Sequence, residues 1–385
     1  MYRLFGSSKF YLWAALILAV LAIVVFVKIK EDQKNGGLDS FRAHPYLTTK
    51  LKVKSAAAVS GGITPATIKA VYNLPTGNVG SGTIAIIDAY DNPTAEADLA
   101  TFDAQYNLPA CTSQNGCFTK VKMKTKLSGS TGWGLEENLD VQWAHAIAPN
   151  AKILLVEAAS DSGPNLMAAV SYAVSQPNVS SVSMSWGGSE FSDESKYDSS
   201  FSSSNIQFFA AAGDNGHAAS WPAASANVIA VGGTTLNLDG VGKMISEVAW
   251  SGSGGGLSKY IDEPTWQQSY GIHNDSGGKR AMPDVSFNAD PNSGYPVYDS
   301  YGHTKADSWL IVGGTSAGTP QWAAIQAISK STKASKMYSD AKSRNADQYF
   351  HDILSGSNGT CKLLCAANTG YDFVTGLGSP LTQKY

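Results

Sequence analysis

The feature that most constrains the fold is an alternation of apolar, strand-like runs with helix-like stretches. The strand-like runs are residues 83–88, 152–157, 179–185, 206–212 and 228–231, and the helix-like stretches include 95–106, 136–147 and 165–175. Buried strands separated by helices are typical of a parallel sheet covered on both faces. We therefore predict an α/β fold with a mostly parallel central sheet, and an active site at the carboxyl ends of its strands.

Upstream of this alternation lie an apolar run and a polar segment. Residues 10–27 are uninterruptedly apolar and are followed by charged residues rather than by a small-residue cleavage site. This pattern predicts an uncleaved signal-anchor, or transmembrane segment, within residues 1–30, with the bulk of the chain exported. Residues 31–60 are predicted to be a linker and residues 61–385 a single folded domain.

Charge and cysteine content limit the partners and the compartment. The 385 residues carry a net charge of −3, and this balance argues against nucleic acid as a partner. The cysteines form two local pairs, Cys111 with Cys117 and Cys361 with Cys365. Short disulfide loops made in an oxidising, extracellular compartment are the favoured interpretation, and zinc ligation is the alternative.

A strand-to-helix corner with the sequence GGTSAGTP occupies residues 313–320 and leads into a helix-like segment, 321–328. Ser316 therefore lies at a helix start, where amide N–H groups favour negative charge. Such a position suits a serine nucleophile whose reaction creates an oxyanion. The alternative is a helix-capping Ser or Thr followed by a proline in the first turn.

Two acidic stretches offer partners for this serine. Glu136 and Asp140 are one helical turn apart, and a buried pair of this kind raises each other's pKa and can share a proton. Asp214 follows an apolar strand through Gly213, and a protonated carboxyl there can donate a hydrogen bond to an oxyanion. The structural alternatives are acids that favour a helix dipole and an ordinary Asx turn.

Together these motifs resemble the sedolisin (serine-carboxyl) peptidase family, whose fold is similar to that of subtilisin. The resemblance runs from about residue 61 to 380, and it includes the spacing of Glu136 and Asp140, the sequence AAGD at 211–214 and the motif at 314–320. It implies a serine endopeptidase that hydrolyses proteins and peptides at acidic pH. We also expect a monomer.

The resemblance also implies the role of each catalytic residue. Ser316 would attack the scissile carbonyl, and Glu136 would accept its proton and pass it to the leaving amine. Asp140 would hold Glu136 in place. Asp214 and the Ser316 N–H would stabilise the oxyanion. About sixty residues precede the matching region, whereas the family carries a large N-terminal prodomain, so the sequence does not indicate how the enzyme is kept inactive or matured.

Two further sites are implied. An extended edge that pairs with the substrate backbone is assigned to Ser185, Trp186, Gly187 and Gly188. One calcium ion is expected in the C-terminal part, where carboxylates and turn carbonyls suit a hard cation. Its ligands would be the side chains of Asp352 and Asp372 and the carbonyl groups of Ile353, Asn368 and Gly370.

Two alternative functions compete with this interpretation. A subtilisin-type Ser/His/Asp protease is favoured by residues 84–88, which resemble the strand that carries the subtilisin aspartate. The matching histidine motif is missing, and His145 lacks its glycine context, so Asp88 is interpreted as a supporting or structural acid. A catalytically inactive, exported binding domain is the other alternative, and the occupation of all four catalytic positions argues against it.

Overall fold

The computed structural model describes residues 37–53, 63–304, 307–343 and 346–381. The apolar run at 10–27 lies outside these ranges, so the signal-anchor stays a prediction. Among the residues that are described, none of the helices has the length and apolarity needed to cross a membrane.

Helices and strands alternate through most of the described chain. The helices are α1 (Pro65–Val71), α2 (Ala95–Tyr106), α3 (Thr131–Ile147), α4 (Gly163–Ser175), α5 (Thr265–Tyr270), α6 (His273–Ser276), α7 (Thr315–Ser329) and α8 (Ala334–Lys342). The strands are β1 (His44–Pro45), β2 (Thr48–Val53), β3 (Thr83–Ala89), β4 (Phe118–Lys122), β5 (Lys152–Ala158), β6 (Val179–Met184), β7 (Trp186–Ser189), β8 (Gln207–Ala211), β9 (Ser220–Trp221), β10 (Val228–Leu238), β11 (Met244–Ala249), β12 (Gly256–Asp262), β13 (Lys279–Met282), β14 (Val285–Asn288), β15 (Tyr295–Tyr298), β16 (Trp309–Gly313), β17 (Phe350–His351) and β18 (Ser379–Pro380).

The central sheet has the strand order β11-β10-β8-β6-β3-β5-β4, and β14 adds to it by pairing with β10. These pairings are parallel except for β10 with β11, which is antiparallel. The mostly parallel sheet expected from the sequence is therefore confirmed, and each of the five predicted runs matches one of its strands to within one residue at either end, except that β10 continues beyond residue 231 to Leu238.

Side chains alternate along the inner strands, and each face of the sheet carries its own core. From β3, Ile84 and Ile86 join a core that includes residues of α2, α3 and α7, such as Trp143. The intervening Ala85 and Ile87 join a second core that contains residues of α4. This alternation places helices on both faces of the sheet.

The segment 37–53 departs from the predicted linker. Strand β1 pairs antiparallel with β7, and β2 pairs antiparallel with β16. Phe41 and Tyr46 are only 6% and 4% exposed, so this segment packs against the domain. Each pairing joins residues more than a hundred positions apart, and contacts of that range leave no local sequence pattern.

Both predicted disulfide loops are formed. Cys111 is bonded to Cys117, and Cys361 is bonded to Cys365. The second bridge closes a loop in the part of the chain that was assigned to calcium, whereas the first lies just before β4. Since the sulfur atoms are paired, they are not available as zinc ligands.

Candidate active site

Ser316 lies in the first turn of α7, directly after β16 and Gly314. Gly314 has φ +119°, and a Cβ atom there would collide with the Tyr46 carbonyl oxygen and with Asp214 Oδ2. A glycine is therefore required at this corner. The Ser316 hydroxyl is fully buried and donates a hydrogen bond of 2.9 Å to the Ser185 carbonyl oxygen. The helix-like segment predicted at 321–328 lies within α7, which begins several residues earlier.

The acidic pair lies on α3, which packs against α7. Glu136 and Asp140 are both fully buried. Asp140 Oδ1 accepts a hydrogen bond of 2.9 Å from the Ser185 hydroxyl. Ser185 therefore contacts Asp140 through its hydroxyl and the Ser316 hydroxyl through its carbonyl oxygen.

The carboxyl of Glu136 is next to the Ser316 hydroxyl. Burial raises the pKa of Glu136 well above its ordinary value, and the charges of Asp140 and Asp88 raise it further, whereas the Ser316 hydroxyl lowers it. Neither carboxylate oxygen has a well-aligned hydrogen bond within the described residues, because the hydroxyl donates to Ser185 instead. A rotation about the Ser316 Cα–Cβ bond would redirect that hydroxyl, and catalytic hydrogen bonds are often unformed before substrate binds.

Asp214 lies at the carboxyl end of β8, on the same side of the corner. Its Oδ1 accepts hydrogen bonds from the N–H and the hydroxyl of Thr315, at 2.8 and 2.9 Å. Its Oδ2 is buried and has no hydrogen-bond partner within the described residues. Burial raises the pKa of Asp214 to about 7, although the bonds from Thr315 oppose this shift. In acid, Oδ2 therefore carries a proton and is free to donate it in a hydrogen bond.

Further buried carboxyls surround the pair, and most of them were not singled out from the sequence. Asp88 and Glu157 face each other across the β3–β5 pairing at the carboxyl edge of the sheet, and Glu137 lies next to them on α3. Burial and the Glu157 charge raise the pKa of Asp88 to about 8. Lys120 approaches Glu157 at 3.0 Å. The sequence signal for this cluster was that the strand-like runs 83–88 and 152–157 each end in an acidic residue.

The imidazole alternative finds no support at this corner. In the residues described, no histidine is bonded to the Ser316 hydroxyl, whose partner is a backbone carbonyl. His145 is nine residues beyond Glu136 on α3, about 13 Å along the helix axis. Its Nε2 lies 2.9 Å from the Pro109 carbonyl oxygen and 3.5 Å from Asp103. Burial lowers the pKa of His145, which is consistent with a packed, neutral ring.

The predicted substrate edge is occupied by the chain's own residues 41–46. The Tyr46 N–H donates to the Ser185 carbonyl oxygen at 3.2 Å, and β1 pairs with the part of β7 that contains Trp186 and Gly187. On its other side, the Ala43 N–H donates to the Asp161 carbonyl oxygen at 2.9 Å. Residues 41–46 thus form a middle strand between two segments of the domain. Gly188 contacts them, whereas the Trp186 side chain is buried and donates to the Ile87 carbonyl oxygen.

The carboxylates assigned to calcium lie together in the C-terminal part. Asp352 Oδ2 accepts a hydrogen bond of 2.9 Å from the Gly370 N–H, while its Oδ1 is buried and unpaired within the described residues. Asp372 accepts the N–H groups of Val374 and Thr375, both at 2.8 Å. Burial raises the pKa of Asp352 and also raises that of Asp372, to about 6. The unpaired Asp352 oxygen beside this loop fits an oxygen-liganded cation.

Known proteins are similar to this chain in fold and in sequence. The model of the Peptidase S8 family, described as the subtilase family, matches residues 128–347, more than half of the chain. The solved structure of Pseudomonas sedolisin, a serine-carboxyl proteinase complexed with two molecules of pseudo-iodotyrostatin, has a TM-score of 0.69 and 26% identity. That match covers 83% of this chain and 95% of the sedolisin chain. Fold and site thus define a subtilisin-like serine peptidase.

Two relatives of known type indicate which kind of serine peptidase this chain is. Kumamolisin from Bacillus sp. (strain MN-32) is 29% identical over 98% of this chain and 72% of its own length. Sedolisin from Pseudomonas sp. (strain 101) is 27% identical over 88% of this chain, which spans 63% of that relative. The chain belongs to the subtilase family and is a serine peptidase of the sedolisin type.

Proposed function

We propose that this protein is an acid-active serine endopeptidase in which a carboxylate, rather than an imidazole, activates the nucleophile. The observation that carries the proposal is the burial of Glu136 beside Ser316, with Asp140 one turn away. Burial and mutual repulsion let such a pair hold a single negative charge over a range of pH. The ionised member serves as the base, and the protonated member is its hydrogen-bonding support.

The reaction begins when the Ser316 hydroxyl turns from the Ser185 carbonyl oxygen toward Glu136. Glu136 takes the hydroxyl proton as Oγ attacks the scissile carbonyl carbon, and it later delivers that proton to the leaving amine. Asp140 positions Glu136 and is itself held by the Ser185 hydroxyl, at 2.9 Å. Water then hydrolyses the acyl-enzyme through the same groups in reverse order.

Two hydrogen-bond donors stabilise the negative charge that develops on the oxygen of the scissile carbonyl. One is the Ser316 N–H, which points outward from the start of α7. The other is protonated Asp214, whose unpaired Oδ2 lies against Gly314 at the same corner. Such preorganised donors commonly contribute about 10²–10³-fold each to kcat. Because the pKa of Asp214 is about 7, this donor is lost as the pH rises through neutrality.

Cleavage within chains, rather than from an end, is favoured by the course of residues 41–53 past Ser316. Residues 41–46 pair with Ser185 and β7 before the point opposite Ser316, and residues 48–53 pair with β16 beyond that point. A groove that admits a chain on both sides does not require a free terminus. We therefore expect internal fragments from protein substrates.

The test of this function is hydrolysis of an acid-denatured protein, followed by mass spectrometry of the products. Ser316→Ala removes the nucleophile and is expected to reduce the rate at least about 10⁴-fold. Ser329→Ala, at the far end of the same helix, is the matched control and should keep wild-type activity. Equal hydrolysis by the Ser316→Ala variant would refute the proposal.

We further propose that Asp352 and Asp372, with the carbonyl groups of loop 368–370 and Ile353, hold one calcium ion. An ion that binds the folded state but not the unfolded state raises the free energy of unfolding by about 2.7 kcal/mol when its concentration is 100 times its Kd. A chelator should therefore lower Tm by roughly 5 °C at pH 7, measured in the inactive Ser316→Ala background to avoid self-digestion. Asp352→Asn should remove the calcium dependence, and a chelator-insensitive Tm would contradict the site.

Export and membrane anchoring through residues 10–27 also remain proposals. The two disulfides, Cys111–Cys117 and Cys361–Cys365, support an oxidising compartment for the folded domain. The most economical arrangement is a peptidase domain outside the cytoplasm, with the apolar run as its anchor or leader.

A further inference from the structure

The loop that carries Asp214, residues 213–217, is held at both of its ends. At its start, the Gly254 N–H donates to the carbonyl oxygen of the first loop residue at 2.7 Å. At its end, the His217 N–H donates to the Asn358 carbonyl oxygen at 3.1 Å. Because the Asp214 carboxyl is carried by this backbone, the segments that hold the loop also determine where its Oδ2 lies.

Asn358 is connected to both ends of the loop. Besides accepting the bond from His217, it donates from its side-chain Nδ2 to the Ser253 carbonyl oxygen at 2.8 Å. Ser253 directly precedes Gly254, whose N–H bonds to Gly213. Asn358 is only 5% exposed, so removal of its amide would leave a buried carbonyl oxygen without its donor. One side chain therefore supports the backbone before and after the catalytic acid.

Asn358 lies on a hairpin, residues 356–367, in which Ser357 and Ala366 are antiparallel partners. The hairpin packs directly on the backbone of the loop. Gly216 has φ +75°, and a Cβ atom there would approach the Asn358 carbonyl oxygen to 2.7 Å. A glycine is required for this close approach. A displacement of the hairpin therefore reaches the loop through main-chain contacts, with no flexible side chain between them.

A disulfide closes the hairpin next to Asn358. The Asn358 N–H donates to the Cys365 carbonyl oxygen at 3.0 Å, so these two residues lie opposite each other on the two arms. Cys365 is bonded to Cys361 and is only 1% exposed. Its sulfur packs against Gly359, where a Cβ atom would approach it to 2.7 Å. The bridge thus fixes the arm on which the position of Asn358 depends.

Helix α7 holds the Asp214 carboxyl from the other side. Its Oδ1 accepts the bonds from Thr315, and the Gly213 N–H donates to the Thr315 hydroxyl oxygen at 3.1 Å. The loop is therefore clamped between α7 and the hairpin 356–367. The bonds from Thr315 fix Oδ1 alone. Without support from the hairpin, the carboxyl can pivot about Oδ1 and carry the unpaired Oδ2 away from the corner.

We propose that Asn358 is a positioning residue for the reaction, and that the hairpin 356–367 holds the oxyanion donor Asp214 in place. This inference rests on the proposed function. Asn358 acts through the backbone on both sides of Asp214 and not by contact with the reacting atoms. Its contribution is made when charge develops on the scissile carbonyl oxygen, which Oδ2 must then meet.

The test is to measure kcat and KM of Asn358→Ala at acidic pH. The substrate is an internally quenched peptide, taken from a sequence that the wild type cuts in a denatured protein. We expect kcat to fall about 30-fold, since loss of an oxyanion donor costs about 10²–10³-fold and this donor is displaced rather than removed. KM should change less than about fivefold, because a contact made in the transition state is affected.

A double-mutant cycle with Asp214 separates positioning from a general loss of stability. Asp214→Ala removes the donor and should lower kcat about 10²–10³-fold. If Asn358 acts through Asp214, adding Asn358→Ala to that variant should cost less than about threefold more. The full loss in both backgrounds would show that Asn358 acts elsewhere, and it would overturn the inference.

The two disulfides provide matched variants. Cys361→Ser combined with Cys365→Ser opens the hairpin without altering Asn358, and it should lower kcat about tenfold. Cys111→Ser combined with Cys117→Ser removes a bridge of similar span that lies just before β4. It should leave kcat within about twofold of the wild type, because the site is distant. These variants decide the question if Tm shows that Asn358→Ala does not fold, and equal losses from both bridges would contradict the proposal.

The outcomes distinguish this inference from the proposed function. If Asp214→Ala keeps the wild-type kcat, the oxyanion role assigned to Asp214 fails, and this inference fails with it. If Asp214→Ala loses activity while Asn358→Ala keeps the wild-type kcat, this inference alone is overturned and the proposed function stands.

Discussion

Glutamine in place of Glu136 should lower kcat about 1,000-fold while KM stays within about threefold of the wild type. The amide has the shape of a protonated carboxyl, so the fully buried site should still fold. It has no basic oxygen that can take the Ser316 proton, and general-base catalysis commonly contributes 10²–10⁴-fold. Loss of an interaction made only in the transition state lowers kcat and leaves substrate binding intact.

The neighbouring glutamate provides a matched control. Glu137 is as deeply buried as Glu136, and burial, Glu157 and Asp88 raise its pKa. Its carboxyl faces that cluster, whereas the Ser316 hydroxyl affects the pKa of Glu136. Glu137→Gln should therefore change kcat by less than about fivefold. Equal losses in the two variants would show that burial of charge, and not proton transfer, explains the effect.

Stability should fall as the pH rises from 5 to 8, the opposite of the usual behaviour of carboxylate-rich proteins. Burial raises the pKa of Asp88 to about 8 and that of Asp214 to about 7 in the folded chain. Both values are near 4 when the chain is unfolded. Between about pH 4 and pH 7–8 the folded state therefore binds more protons than the unfolded state. The free energy of unfolding decreases as the pH rises through this range.

The sign and size of this effect can be measured by thermal unfolding. The contribution of these acids is fully present below about pH 4 and is lost as the pH passes 7–8. Since each unit of pKa shift corresponds to about 1.4 kcal/mol, we expect a loss of about 4–7 kcal/mol between pH 5 and 8, or roughly 8–14 °C in Tm. The inactive Ser316→Ala background prevents self-digestion from distorting the curves.

Two carboxyl variants separate buried from exposed acids in this experiment. Asp88→Asn removes a titrating group that is fully buried, so Tm should become less dependent on pH. Asp262→Asn removes a carboxyl whose side chain is 87% exposed, and it should leave the profile unchanged. A Tm that is constant or increases between pH 5 and 8 would contradict this account.

Much of the fold was predictable because its signals are local. The five strand-like runs were recognised as short apolar stretches, the helix-like stretches lie between them, and helix α2 has the predicted bounds, 95–106. The start of α3 was placed at 136 instead of 131, since the first turn, which contains glycines, gives a weak helix signal.

The corner at Ser316 was predictable for a similar reason. Its glycines, its position between a strand and a helix, and the spacing of Glu136 and Asp140 are all sequence-local. The role of Ser185 in linking Asp140 to Ser316 was not predictable. Its hydroxyl and its carbonyl oxygen bond to residues that are 45 and 131 positions away in the sequence.

The course of residues 37–53 was beyond local inference. Its polar composition predicted a linker, yet Tyr46 meets Ser316 across 270 positions. Short strands gain their stability from partners and not from intrinsic preference, so their own sequence contains little information about them. The cluster of Asp88, Glu137 and Glu157 likewise depends on which strands become neighbours.

The pH dependence of kcat/KM for a peptide substrate, measured from pH 3 to 9 beside Ser316→Ala, tests most directly whether a carboxylate takes the serine proton. The account predicts high activity in acid and a decline through about pH 7, as Asp214 loses its proton. A rate that instead rises through pH 6–7 to a plateau at pH 8–9, as an imidazole base would give, would contradict it.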